Sequence, residues 1–267
     1  MSLLVFSSNL TDFRVLAGNH DHYGDVGAQI AYSEASQRWN YPALFYDFLE
    51  QANGTSVHVL MLDTVVLAGH SGHDASATGK TFNKHQAAHT LDGYELKGPS
   101  TAEHQDLAKQ QWQWIESTLA ASTADYIIVA GHYPVWSVCE HGPSAPLVER
   151  LKPLLDAHGV DAYLYGHDHC AQDIADPSGV EHHSVGAFHG CDDSTKHAGA
   201  VPPGSQRFHY GGRESGAELV DFSRGAFARV TANASMLEVS HYNSDGALLY
   251  VAAPHPPRAM GQFRGPE

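Results

Sequence analysis

The sequence has few basic residues and no long apolar run. Lys and Arg together number 15 against 30 Asp and Glu, which gives a formal charge of −15 when every histidine is neutral. Broad binding to nucleic acid or to anionic lipid needs clustered Lys and Arg, so this balance argues against both partners. No apolar run approaches the roughly 18 residues of a membrane span, and residues 1–10 lack the basic start of an export signal. We therefore expect neither a nucleic-acid nor a membrane partner, and the cellular location stays open.

Cysteine is also scarce. The three cysteines, Cys139, Cys170 and Cys191, form no C-x-x-C pair, and their odd number leaves at least one thiol unpaired. The count alone therefore favours no disulfide framework. Internal repeats and obvious linkers are absent too, and 267 residues with 42% hydrophobic content fit one large globular domain or two small ones.

Histidine, by contrast, is abundant. Full protonation of the 20 histidines would move the formal charge from −15 to +5. Because the unperturbed histidine pKa of about 6.5 lies within the physiological range, the charge of the chain depends on its compartment.

Short apolar runs predict the strands of an α/β fold. They lie at residues 14–17, 45–49, 56–62, 126–130 and 162–165. The last two flank a loop and a predicted helix at residues 145–158, which is the pattern of a β–α–β unit. Beyond residue 174 the pattern changes to short strands of a β meander, at residues 206–210, 218–222, 226–232, 236–242 and 247–251.

Two more helices and a long loop are predicted between these strands. One helix covers residues 26–39, and a second carries an apolar stripe at Ala108, Trp112, Ile115 and Leu119. Ser100 and Glu103 have the spacing of a capping box before this stripe, which core packing explains without a cofactor. Residues 69–99 contain five glycines and four histidines without any period, and they are typical of a long loop.

Three polar clusters follow apolar strands, and each begins with glycine. They are GNHD at residues 18–21, GHYP at 131–134 and GHDH at 166–169. Glycine allows a sharp turn that brings the next side chain into a crowded site. Neutral imidazole and an amide oxygen are suitable ligands for Zn, Mn or Fe, and two histidines at i and i+2 can reach two ions about 3.5–4 Å apart. A single histidine after glycine is more often a turn residue, but the coincidence of three such clusters favours a metal site.

The three motifs, in this order, resemble those of the calcineurin-like metallophosphoesterases. The similarity is closer still to the small purple acid phosphatases of the tartrate-resistant type, through GHYPVW at residues 131–136 and RFHYG at 207–211. The resemblance covers nearly the whole chain. It implies an α/β fold, a metallophosphoesterase-type two-sheet β-sandwich flanked by helices, as a single domain over residues 1–267. It also implies a monomeric acid phosphatase that hydrolyses phosphate monoesters of small molecules.

The resemblance assigns ligands for a dinuclear metal centre, in which Fe is accompanied by Fe, Zn or Mn. Asn19, His132 and His167 correspond to ligands of the divalent ion, and His169 corresponds to a ligand of the ferric ion. A hydroxide activated by the two metal ions would then attack phosphorus in line.

Two further histidines correspond to catalytic groups. His20 matches the candidate general acid that protonates the leaving alcohol, and His141 matches a histidine near the substrate phosphate. From the residues alone, either one reads more readily as a loop histidine.

The chain departs from the family before Asn19. The family supplies two Asp and one Tyr from D-x-G and G-D-x-x-Y motifs upstream, whereas the first 18 residues here contain Asp12 as their one acidic residue and no Tyr or His. We therefore expect an incomplete ligand set, a sandwich lacking its N-terminal strands with unpaired edges, and an impaired activity, as in an N-terminally truncated form. The family's disulfide near Ala68 and Pro146 is absent as well, because neither position is Cys.

Two alternatives remain open at this point. The first is a non-catalytic, metal-poor paralogue that keeps the scaffold and binds phosphate or one ion through His132 and His167. The second is a phosphodiesterase with the same metal ligands, which the motifs at residues 131–136 and 207–211 favour less.

Overall fold

The computed structural model describes residues 2–4, 12–68, 102–188, 190–211 and 225–258. The loop predicted at residues 69–99, the capping box at Ser100 and the strand predicted at residues 218–222 lie outside these ranges. Within them, no helix combines the length and the apolar character needed to cross a bilayer.

Thirteen strands and four α-helices make up the described chain. The strands are β1 (Ser2–Leu4), β2 (Phe13–Leu16), β3 (Trp39–Asn40), β4 (Tyr46–Ala52), β5 (Thr55–Met61), β6 (Tyr126–Gly131), β7 (Ala162–Tyr165), β8 (Ala171–Ala175), β9 (Glu181–Val185), β10 (Gln206–Tyr210), β11 (Ala226–Ala232), β12 (Leu237–Asn243) and β13 (Leu248–Val251). The helices are α1 (Val26–Ala35), α2 (Thr64–Leu67), α3 (Ala102–Ala121) and α4 (Ala145–Ala157).

A seven-stranded sheet organises the fold, in the order β10-β8-β9-β7-β6-β5-β4. Strands β5, β6, β7 and β9 run parallel, and β4, β8 and β10 pair antiparallel to their neighbours. The predicted β–α–β unit is confirmed as β6, α4 and β7. Because parallel strands end at the same edge, the segments after β5, β6 and β7 emerge side by side.

One face of this sheet packs against helices. Leu60, Ile127 and Tyr163 belong to a buried cluster that also includes residues of α3 and α4. The predicted stripe on α3 is confirmed, since Trp112 and Ile115 are buried in this cluster. Alternate strand residues point to opposite faces of a sheet, so the intervening residues are directed to a second layer.

That second layer consists of two smaller sheets, β1-β2-β3 and β11-β12-β13. Val59 and Ile128 of the large sheet form one buried cluster with Leu16 of β2 and Val239 of β12. Apolar residues of both layers therefore share one interior, and the predicted β-sandwich flanked by helices is confirmed. The antiparallel pairing of β11, β12 and β13 confirms the predicted meander.

Three details differ from expectation. The first predicted helix ends at Ala35, because Trp39–Asn40 forms strand β3 and pairs with β2. Unpaired edges were expected where N-terminal strands are missing, but β2 is paired on both sides, with Ser2–Leu4 and with β3. Strands β8 and β9 have no counterpart in the prediction, because their polar residues interrupt the apolar pattern by which strands are recognised.

Candidate metal centre

Three of the predicted ligand residues meet where strands from both layers end. Asn19 follows β2, His132 follows β6 and His167 follows β7. The Oδ1 atom of Asn19 lies 2.7 Å from Nε2 of His132, and this nitrogen lies 3.2 Å from Nδ1 of His167. The sheet edge thus brings one amide oxygen and two imidazole nitrogens together.

Close approach of the two layers depends on a glycine. A Cβ atom at Gly18 would lie 2.7 Å from ring atoms of His132, which is nearer than real Cβ contacts allow. On the other side, the hydroxyl of Thr64 accepts hydrogen bonds from the backbone N–H groups of His132 and Tyr133. The sequence argument for glycine before a crowded polar side chain therefore applies at Gly18.

The two histidines of this group are neutral at ordinary and at mildly acidic pH. Burial lowers the pKa of His132 well below 6.5, and the neighbouring His20, His141 and His169 lower it further. Burial and the same neighbours also lower the pKa of His167. Their nitrogen lone pairs are therefore available at acidic pH, where an ordinary histidine is protonated.

The donor set fits a divalent transition-metal ion. Ligands held about 2.0–2.2 Å from a zinc-type ion lie roughly 3–3.6 Å from one another. The separations of Asn19 and of His167 from His132 are 2.7 and 3.2 Å, close to this range. Two neutral imidazoles and one amide oxygen are also a chemically suitable set.

The other predicted residues lie around this group, but they do not form a second set of metal ligands among the described residues. The His141 ring is 4.3 Å from the His167 ring between centroids, and the His169 ring is 6.5 Å from that of His141. His20 is exposed at the same edge, where its charge acts on His132 and His167. Among the described residues, His169 joins no cluster of three His, Cys, Asp or Glu side chains with donor atoms within 4.8 Å of one another.

A buried carboxylate that the sequence reasoning missed positions His141. Asp168 is fully buried, and its Oδ1 atom lies 2.8 Å from Nδ1 of His141 and accepts from the His141 backbone N–H. Its other oxygen accepts from Ser137. Burial alone would lower the pKa of His141, but Asp168 raises it above 6.5, while the same contacts lower the pKa of Asp168 against the effect of burial. The pair is therefore ionised, with about a third of the His141 side chain (32%) facing solvent.

A second buried pair, His22 and Asp63, lies beside the GNHD motif at residues 18–21. Nε2 of His22 lies 2.8 Å from Oδ2 of Asp63, whose other oxygen accepts from the backbone of Val66 at the start of α2. Burial lowers the pKa of His22, but Asp63 outweighs this effect and raises it. The position of Asp63 two residues after the end of strand β5 is the sequence signal that could have indicated it.

We expect the His22 pair to stabilise the fold in a pH-dependent way. Replacing His22 with glutamine should lower the free energy of unfolding by about 1.5–3 kcal/mol near pH 5.5, as for hydrogen bonds to charged groups. Because the folded pKa lies above the unfolded value of 6.5, this contribution is complete below 6.5 and is lost as the pH rises through the folded value. Urea denaturation with a chelator present, from pH 5.5 to 9, measures the difference, and a pH-independent difference would contradict the prediction.

The expectation of no disulfide was wrong. Cys139 and Cys170 form a disulfide, and Cys191 is buried outside this bond. The two partners are 31 residues apart, but they lie on the segments that follow the adjacent strands β6 and β7. The bond therefore joins the segment carrying His141 to the segment carrying His169.

Loss of this bond should affect both stability and the site. The double variant Cys139→Ser/Cys170→Ser is expected to lose about 3–4 kcal/mol of unfolding free energy, as for a loop of this size. Chemical denaturation measures the loss, with Cys191→Ser as the matched control because it removes a buried thiol outside the bond. Equal effects of the two changes would show that the bond contributes nothing.

Comparison with known proteins agrees with the resemblance found in the sequence motifs. The family model described as calcineurin-like phosphoesterase matches residues 2–171. The chain is 41% identical over 238 residues to tartrate-resistant acid phosphatase type 5 of Homo sapiens, covering 88% of this chain and 65% of that protein. It is 29% identical over 161 residues to purple acid phosphatase 17 of Arabidopsis thaliana, covering 60% of this chain and 41% of that protein. The chain thus spans slightly less than two thirds of the human relative.

A solved structure shows the fold independently of close sequence similarity. GAP50, described as the anchor in the inner membrane complex of Plasmodium, matches with a TM-score of 0.64 at 18% identity, covering 92% of this chain and 66% of that one. The match of the family model to well over half of the chain, together with the ordered motifs at the sheet edge, shows that the chain belongs to the calcineurin-like phosphoesterase family.

Proposed function

We propose that the chain is an acid phosphatase that hydrolyses phosphate monoesters by hydroxide attack activated by two metal ions. The observation that carries this proposal is the convergence of Asn19, His132 and His167 at the carboxyl edge of the sheet. The similarity to tartrate-resistant acid phosphatase type 5 supports the same reaction class. Small phosphorylated molecules are the proposed substrates, and a monomer is the proposed state.

Asn19, His132 and His167 would hold the divalent ion, Fe, Zn or Mn, and His169 would contribute to the site of a ferric ion. When bound, such ions supply Lewis-acid stabilisation of the phosphoryl oxygens and an activated water. The low pKa values of His132 and His167 keep both rings unprotonated in mild acid, which suits a phosphatase that works there.

His141 and His20 would act on the substrate itself. Because Asp168 holds Nδ1 of His141 and keeps the ring protonated, Nε2 can donate a charged hydrogen bond to a phosphate oxygen. His20 is exposed beside the ligand group, where it can give a proton to the leaving alcohol.

We propose that turnover by this chain is impaired. In the described residues, donor atoms of Asn19 and His167 lie 2.7 and 3.2 Å from Nε2 of His132, whereas His169 belongs to no cluster of three His, Cys, Asp or Glu donors. The divalent position therefore has a better ligand set than the ferric position, so the second ion should bind more weakly.

A second candidate is a non-catalytic, metal-poor scaffold. The weaker ligand set at the ferric position, compared with that at the divalent position, favours this candidate.

Metal content and turnover of the purified chain distinguish these functions. When Fe and Zn are supplied, we expect hydrolysis of p-nitrophenyl phosphate and two more metal ions per chain than in the inactive control His132→Ala/His167→Ala. One additional ion or none, without turnover, would support the scaffold. Faster hydrolysis of bis(p-nitrophenyl) phosphate than of the monoester would instead identify a phosphodiesterase.

A further inference from the structure

A separate group of donor side chains lies inside the sandwich, between the seven-stranded sheet and the β11-β12-β13 sheet. Asp173 on β8 is directly opposite His183 on β9, and Glu181 lies two residues before His183 on the same strand face. Asp173 and His183 are completely buried, and Glu181 is 6% exposed. Two carboxylates and an imidazole are rarely enclosed in this way unless something neutralises them.

Their donor atoms are close enough to share one ion. Oδ1 of Asp173 lies 3.5 Å from Nδ1 of His183, and Oε2 of Glu181 lies 3.4 Å from Nε2 of the same ring. Only one of these two ring nitrogens would bind the ion. One donor atom from each residue can be chosen so that all three lie within 4.8 Å of one another. Ligands of a tetrahedral zinc-type ion lie about 3.3–3.6 Å apart, so side-chain rotations that shift the donor atoms by up to about 1 Å would complete the site.

Polar atoms of all three residues are left without a hydrogen bond. Oδ1 of Asp173 and Nε2 of His183 are buried and make none within the described residues. Oε2 of Glu181 makes none there either, although Nε2 of His183 and Nε2 of His255 lie 3.4 and 3.2 Å from it. An unsatisfied buried polar atom destabilises a protein, and a group of three at one place indicates a ligand.

The charges of the group have the same implication. Asp173 and Glu181 place two carboxyl groups in the interior, beside the imidazoles of His183 and His255. A divalent cation would balance two carboxylates and leave the site neutral with an uncharged imidazole.

We propose that Asp173, Glu181 and His183 form a buried structural site for one divalent transition-metal ion of the zinc type, separate from the phosphatase centre. An imidazole with two carboxylates suits Zn²⁺, whereas Ca²⁺ takes six to eight oxygen ligands, typically, and Mg²⁺ retains several waters. A water molecule or a second carboxylate oxygen would supply the fourth ligand.

The site would fasten the two layers of the sandwich together. The hydroxyl of Tyr250 on β13 donates to Oδ2 of Asp173 at 2.9 Å, and Nε2 of His241 on β12 lies 3.3 Å from Nδ1 of His183. Residues of the C-terminal sheet thus support the proposed ligands as outer contacts, an arrangement common at metal sites. An ion there would stabilise the docking of this sheet.

Zinc stoichiometry in a variant without the phosphatase ligands tests the proposal. In His132→Ala/His167→Ala, which keeps the buried group intact, we expect about one Zn²⁺ per chain after dialysis, measured by mass spectrometry of the metal. Zn²⁺ should also raise the melting temperature of this variant. Adding Asp173→Asn/Glu181→Gln should remove both the bound zinc and the thermal shift.

The matched control removes two exposed carboxylates from β4 in the same background, Asp47→Asn/Glu50→Gln, and should retain the zinc. Circular dichroism checks the folding of each variant. If the folded His132→Ala/His167→Ala chain binds no Zn²⁺, the proposal is overturned even where the further variant fails to fold. If phosphatase activity is lost while one zinc ion is retained, the result supports this buried site and concerns the phosphatase centre alone.

Discussion

Replacing His132 with alanine is expected to reduce phosphate monoester hydrolysis at least about 10³-fold, because Lewis-acid stabilisation by a metal ion contributes several kcal/mol to the transition state. His132 stands between the two other donors, 2.7 Å from Asn19 and 3.2 Å from His167. Its removal therefore separates the two remaining donors, Asn19 and His167, and disrupts the whole ligand set.

The measurement combines p-nitrophenyl phosphate turnover with metal analysis, so that the result does not depend on activity alone. We expect the variant to lose the divalent ion. His58→Ala is the matched control, since His58 is a partly buried histidine on β5 that pairs with Asp47 outside the site. Unchanged metal content and turnover in His132→Ala would refute the assignment of the centre.

Replacing Asp168 with alanine is expected to lower the free energy of unfolding by about 3–5 kcal/mol, as found when one partner of a buried ion pair is removed. Asp168 is fully buried and binds both His141 and Ser137, so the change leaves both without their acceptor. The isosteric change Asp168→Asn should cost less, because it keeps the volume and part of the hydrogen bonding.

The destabilisation should be largest in mild acid. The folded pKa of Asp168 lies below 3.8, so its contribution is present above 3.8 and is lost as the pH falls through the folded value. The folded pKa of His141 lies above 6.5, so its contribution is present below 6.5 and is lost as the pH rises through the folded value. Denaturation between pH 4 and 9 should show the greatest difference between pH 4 and 6.5, and a maximum at pH 9 would contradict the ionised pair.

Asp168→Asn also distinguishes positioning from stability. Without the carboxylate the pKa of His141 should fall, and phosphate should inhibit the chain less strongly at neutral pH than it inhibits the unaltered chain. A purely structural role would leave phosphate inhibition unchanged once the variant is folded.

The sequence predicted those features whose signal is local. Glycine followed by Asn or His after an apolar strand located Asn19, His132 and His167. The parallel strands β6 and β7 bring the two histidines to one sheet edge, and β2 of the second layer brings Asn19 to the same place. The stripe including Trp112 and Ile115 located α3, because helical periodicity depends only on neighbouring residues.

Features that depend on distant partners were not predictable in this way. The carboxylate of Asp168 is 27 residues from His141, and nothing in the spacing shows that the two side chains meet. The bond between Cys139 and Cys170 likewise follows from the adjacency of two strands rather than from the cysteine count. Strands β8 and β9 were missed because Asp173 and His183 are buried polar residues, which sequence patterns normally place at the surface.

The contact between Asn19 and His132 joins residues that are 113 positions apart and that belong to different layers of the sandwich. Contacts between such distant segments form only after the intervening chain has been ordered, so this pair should be absent from the early folding nucleus. Interactions that form after the transition state act mainly on the unfolding rate. Metal binding at this edge should therefore slow unfolding and leave the refolding rate nearly unchanged. The metal centre would thus increase the kinetic stability of the two packed layers.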